Sequence, residues 1–217
     1  MKRLPAVTRI ASLLCLLMVV SGCSSVYYSA MEQIGVEKRD ILVDRVGEAR
    51  DAQSDARETF RSSLERFQSV VDTPNTGLQE KYNAISDAYS NSVNAAKRVR
   101  DRIDSVENVS VALFDEWEDE LELYKSAALR ENSEQQLSET RERYGSLMGS
   151  MRQVEKRMDP VLQAFEDQVL FLKHNLNAQA IGALEGELGQ IRQNVDSLIR
   201  DMEASIVESE AFIKQFR

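Results

Sequence analysis

From Tyr82 onward, every seventh residue reads Tyr82, Tyr89, Ala96, Ile103, Ser110, Trp117 and Tyr124. Ile85, Val99, Val106 and Leu113 fill the companion positions, with Val93, Phe114 and Leu121 beside them. A repeat of seven lays one apolar stripe along a helix, and such a stripe is buried by packing helices side by side along their length. The same period recurs at Leu137, Tyr144, Met151, Met158, Phe165 and Leu172, with Leu147, Val154 and Val161 between. It recurs again at Ile181, Leu188, Val195, Met202, Ser209 and Phe216, with Leu184, Ile191, Leu198 and Phe212. A narrower, Ala-rich stripe runs through Val46, Ala49, Ala56, Phe60, Leu64, Phe67 and Val70. With 9 Gly and 3 Pro in 217 residues the chain lacks the turn formers of a sandwich or barrel, and 42% apolar residues exceed what a disordered chain carries. The fold class that follows is all-α: an elongated antiparallel helical bundle or coiled coil of three to four long helices.

Where the helices begin is marked by three capping boxes, Ser29…Glu32, Thr76…Gln79 and Ser133…Gln136. In each, a side-chain oxygen and an acid or amide three residues later can satisfy the free amides of a helix start. The second follows Thr73-Pro74-Asn75-Thr76-Gly77, the strongest turn in the chain. These marks divide the chain into segments of about 43, 52 and 85 residues. As a single helix the last would run about 128 Å and leave much of its stripe without a partner. Its heptad phase drifts across His174-Asn175-Leu176-Asn177-Ala178, and a break at Asn175–Asn177 gives two pieces matching the first two segments. Four helices running up and down is the favoured arrangement and a continuous rod the alternative. Pro160 lies inside an unbroken phase and is expected to kink its helix.

Residues 1–22 differ from the rest. Lys2, Arg3 and Arg9 precede an apolar run of 11 residues from Ile10 to Val20, too short for a bilayer span of roughly 20 residues and of the size of a secretory signal core. Val20-Ser21-Gly22-Cys23 resembles the bacterial lipobox, in which the cysteine thiol acquires a diacylglycerol thioether and becomes the first residue after cleavage. The resemblance implies lipid attachment at Cys23, with the bilayer as partner through its acyl chains; an ordinary signal peptide with an incidental cysteine is the alternative. Ser24, where an Asp would favour inner-membrane retention in such lipoproteins, implies an outer-membrane address on the periplasmic face of a Gram-negative cell. The organisation expected is a signal peptide over 1–22, a lipidated tether over 23–28 and a helical domain over 29–217. Cleavage removes Cys15 and three basic residues and takes the net charge from −9 to about −12. Such a surface repels anionic headgroups, so attachment falls to the acyl chains.

The residues that carry chemistry are few. One His and two Cys leave no set for a zinc site or a spare-histidine triad, and the acidic balance argues against nucleic-acid binding. His174 falls off the seam and is read as a solvated or turn-capping residue. Asp115, Glu116, Glu118, Asp119, Glu120 and Glu122 crowd around Trp117, but a straight helix splays them over different faces and supplies no loop carbonyls for a hard cation. They are read as a solvated face, able to pair with the basic run Lys97, Arg98, Arg100 and Arg102 of a neighbouring helix or molecule. Gly182, Gly186 and Gly189 are spaced for close helix contact but lack the strand and turn of a phosphate loop. No catalytic residue, metal ligand or cofactor is expected.

The chain is similar to a family of uncharacterised proteobacterial coiled-coil lipoproteins, a domain of unknown function. The resemblance rests on Val36-Glu37-Lys38-Arg39-Asp40-Ile41-Leu42-Val43-Asp44-Arg45-Val46, on Ala112-Leu113-Phe114-Asp115-Glu116-Trp117-Glu118 and on Leu172-Lys173-His174-Asn175-Leu176-Asn177-Ala178-Gln179-Ala180-Ile181. It implies no activity. The expectation is a non-catalytic scaffold or adaptor of the cell envelope, engaging envelope proteins or a second copy of itself. The alternative is a binding module or chaperone-like carrier for apolar ligands or unfolded clients, motivated by seven methionines and the Ala-rich first stripe.

Overall fold

Each heptad stripe is one side of a long helix. The computed structural model describes residues 37–72, 77–175 and 178–216, the last without the side chains of 178–183. Helix α1 spans Lys38–Asp72, α2 Leu78–Leu121, α3 Ala127–His174 and α4 Ala178–Gln215, with 35, 44, 48 and 38 residues. No strand occurs among the described residues. Both α1 and α3 pack on α2 and on α4, so helices successive in sequence are neighbours in space and the four run up and down around one core. The continuous rod does not form. α3 stops at His174, and the Asn175 side chain donates to the Phe171 carbonyl at 2.9 Å, satisfying an acceptor that a helix end leaves free.

The expected stripes fill the core. On α1, Val46, Ala49, Ala56 and Phe60 are fully buried, and so are Ile85, Ala96, Val99, Ile103 and Val106 on α2. Met151, Val154, Met158, Phe165 and Leu172 on α3 meet Val195, Leu198 and Met202 on α4 in the same cluster. The alanines of α1 and α2 let these two helices approach closely. At the centre, the Phe165 ring stacks on Phe67 with centroids 4.5 Å apart and on Phe60 at 6.4 Å, joining the diagonal pair α1 and α3. Two seam residues fall outside the core: Val93 is largely exposed, and Tyr124 lies in the loop beyond α2.

Two helix starts differ from the capping boxes. α3 begins at Ala127, and Ser126 is its N-cap, accepting from the Leu129 amide at 3.4 Å. Ser133 is a buried residue almost two turns inside the helix, and the Gln136 amide donates to Asn132 at 3.0 Å. The true cap was obscured because Leu129 stands where a box needs Glu or Gln. α2 begins at Leu78 with Gly77 at its N-cap and no side-chain cap bond, while Gln79 donates to Asn83 at 3.1 Å. Thr76 and the Ser29…Glu32 box lie outside the described residues. Pro160 sits within the uninterrupted α3 on its exposed side, where the Lys156 carbonyl that loses its helical donor faces solvent.

The helices are staggered at one end. Lys38, the first residue of α1, pairs with Glu116 at 2.7 Å, and Arg143 donates to Gln215, the last residue of α4, at 2.8 Å. Beyond these levels α2 continues to Leu121, and α3 has already run about 16 residues, or about 24 Å, from Ala127. Among the described residues, α2 accompanies α3 over about 8 Å of this overhang, and residues 122–126 close the hairpin. It has its own small core of Phe114, Leu121 and Leu137, with Trp117 and Tyr144 packed against it. The Trp117 indole N–H donates to the Ser133 hydroxyl at 2.8 Å, and Phe114 meets Tyr144 edge-on at 5.3 Å.

Candidate anchor and interaction surfaces

Val20, Ser21, Gly22 and Cys23 lie outside the described residues. The place where the chain that follows them joins the bundle is defined, however. Lys38 stands at the staggered end, against α2, so the chain from Cys23 enters at the same end as the α2–α3 hairpin.

Asp115, Asp119 and Glu120 of the acidic cluster around Trp117 are exposed, while the other three carboxylates pair with side chains beyond α2. Glu116 pairs with Lys38, Glu118 with Arg141 at 2.5 Å and Glu122 with Arg130 at 2.9 Å. The hydrogen bond and charge of Arg141 hold the Glu118 carboxyl below its ordinary range, and the same guanidinium lies 5.2 Å over the Phe114 ring. The face is largely exposed, as expected, and none of these partners belongs to the basic run. The basic run lies about four turns back along α2 and bonds elsewhere: Lys97 to Asp101, Arg100 to Asp159 and Arg102 to Glu48. Two runs fixed that far apart on one rigid helix cannot meet within a molecule. Further along the α2–α3 seam, Arg152 bonds Asp104, Glu107 and Glu155, which raise its pKa. Exposed pairs of this kind contribute little stability individually, but they fix which helix faces which. Among the described residues, no group of three or more His, Cys, Asp or Glu is placed to hold a metal ion.

His174 is exposed at the last position of α3, and the capping there is done by Asn175. Gly186 and Gly189 do not mediate helix contact: a Cβ at either would meet open space. The surroundings of Gly182 lie outside the described residues. At Gly47 an added Cβ would lie 4.0 Å from Ile213, an ordinary van der Waals contact.

Several polar residues sit inside the bundle. Ser63 and Ser92 lie 2.9 Å apart, and both reach the Ala88 carbonyl. The Lys81 ammonium donates to the Val70 carbonyl at 2.6 Å. The Ser110 and Tyr144 hydroxyls are 2.5 Å apart, and burial raises the Tyr144 phenol above its usual pKa. Gln53 is fully buried, with both amide atoms lacking a hydrogen-bond partner. It was legible only as the polar member of the α1 stripe between Ala49 and Ala56. An open groove of about 780 Å³ between α1 and α2 is lined by Arg66, Asn83, Asp87, Asn91, Asn94 and Arg98 among others. Most of its lining residues are polar or charged, yet more of the wall area they expose is apolar than polar.

Long antiparallel helices, a main heptad core and ion-paired seams define an up-and-down four-helix bundle, drawn out at one end into a hairpin with a small core of its own. The chain belongs to the family described as protein of unknown function (DUF2959), whose model matches residues 27–216. No curated protein and no solved structure matches it.

Proposed function

We propose that the protein is an outer-membrane-anchored periplasmic lipoprotein acting as a non-catalytic scaffold or adaptor of the cell envelope. The observation that carries the anchor is Val20-Ser21-Gly22-Cys23 behind an apolar run of signal-peptide size. The family match supports it by beginning at residue 27, just past that cysteine. Among the described residues, no helix is long and apolar enough to cross a membrane, so the described bundle supplies no helical span as an attachment of its own. The scaffold half rests on shape. A rod with one helix of about 72 Å, entered by the tether at one end, presents long charged faces at a distance from the bilayer. The proteobacterial origin that the resemblance implies belongs to the same reading.

Replacing Cys23 by Ala removes the only thiol that can take the thioether. The Cys23→Ala protein is expected to leave the membrane fraction and to lack the acyl mass increment of the wild type. Its recovery in the membrane pellet after a high-salt wash would sink the anchor. Affinity capture from intact envelopes, wild type against Cys23→Ala, tests the adaptor: partners retained only by the anchored form support it. Uptake of an apolar dye by the folded domain would instead favour the carrier.

A further inference from the structure

We propose that the tip of the α2–α3 hairpin, residues 122–130, rests on the bilayer that holds the acyl chains of Cys23 and makes a second contact with zwitterionic phospholipid. The proposal depends on the lipid-anchored reading. Leu123 is 70% exposed, Leu129 60% and Tyr124 42%. Single exposed apolar residues are ordinary, but here three fall within seven positions at the end of the described bundle.

Position identifies the occupant. The chain from Cys23 joins α1 at Lys38, on the hairpin's side of the bundle. The 15 residue steps from Cys23 to Lys38 span about 22 Å at helical rise and at most about 54 Å fully extended. The hairpin overhangs the end of α4 by about 24 Å, so the tip can meet the bilayer surface while the acyl chains are inserted. Charge selects the lipid. Residues 118–131 hold five acidic and two basic side chains, which disfavours anionic headgroups and leaves apolar contact with a neutral surface. Two leucines and a tyrosine are too little to draw the domain from dilute solution. A short tether raises their effective concentration at the bilayer to the millimolar range, where weak contacts are populated. The tip would thereby hold the rod upright, where an acyl tether alone leaves it free to tilt.

The test uses full-chain lipidated protein in vesicles of phosphatidylethanolamine and phosphatidylcholine. A polarity-sensitive nitrobenzoxadiazole dye is placed on Tyr124→Cys, with Leu170→Cys, exposed near the opposite end, as the control site. The expected result is a blue-shifted dye at position 124, quenched by brominated acyl chains and insensitive to salt, with no change at position 170. Adding Leu123→Asp and Leu129→Asp should abolish the shift while the protein still pellets with the vesicles. An unshifted dye at position 124 in protein that pellets overturns the tip contact and leaves the anchor standing. Equal shifts at both positions mean that the whole domain adsorbs, which also overturns it. Protein that fails to pellet overturns the anchor and this inference together.

Discussion

Phe165→Asp is expected to unfold the bundle. The Phe165 ring is fully buried and stacks on Phe67 and Phe60 across the core diagonal, so both α1 and α3 lose their central contact. Truncating such a side chain to alanine costs about 3–5 kcal/mol, against a whole-domain stability of about 5–15 kcal/mol. A carboxylate adds the penalty of an unpaired buried charge. Helical circular dichroism at neutral pH is the measurement, with Phe165→Leu as the control that keeps most of the volume. A Phe165→Asp protein retaining the wild-type spectrum and urea midpoint would show that the ring is not central to the fold.

Gln53→Met is expected to act in the other direction. The amide lies at a core position of α1 with both polar atoms unsatisfied. Burying an amide without partners costs about 1–3 kcal/mol, and methionine of similar length removes that penalty without opening a cavity. The variant should gain about that much in urea unfolding at an unchanged slope. An unchanged or lower midpoint would mean that the amide finds partners in solution. A gain would show that the polar residue is kept at a cost in stability. One use of such a group is to fix helix register, as buried amides do in coiled coils.

The sequence made the fold legible because heptad burial is periodic and the breaks occur where the phase changes. Asn175–Asn177 marked a real boundary, and Met158 and Phe165 kept their register across Pro160 into a continuous α3. Local chemistry was harder to read. Ser133 resembles a cap in isolation but lies opposite Trp117, a long-range contact that no local pattern encodes. The partners of Glu118 and Glu122 were missed for the same reason: ion pairing across helices depends on the axial register between them, which the turns set. The glycines of α4 show the limit of spacing as a guide, since Gly186 and Gly189 fall on an open face. The motif at Cys23 is read from the sequence alone and lies outside the described residues. The hairpin was not legible, because its exposure follows from where α1 and α4 stop relative to α2 and α3.

That stagger also divides the molecule thermodynamically. The hairpin is held by a small cluster apart from the main core, so the free energy needed to open it lies below that of the four-helix section. The chain's one tryptophan, Trp117, belongs to this weaker unit. Fluorescence followed through a denaturant series should therefore register an earlier transition than circular dichroism does. The two probes would then be following separate cooperative units, one at each end of the rod.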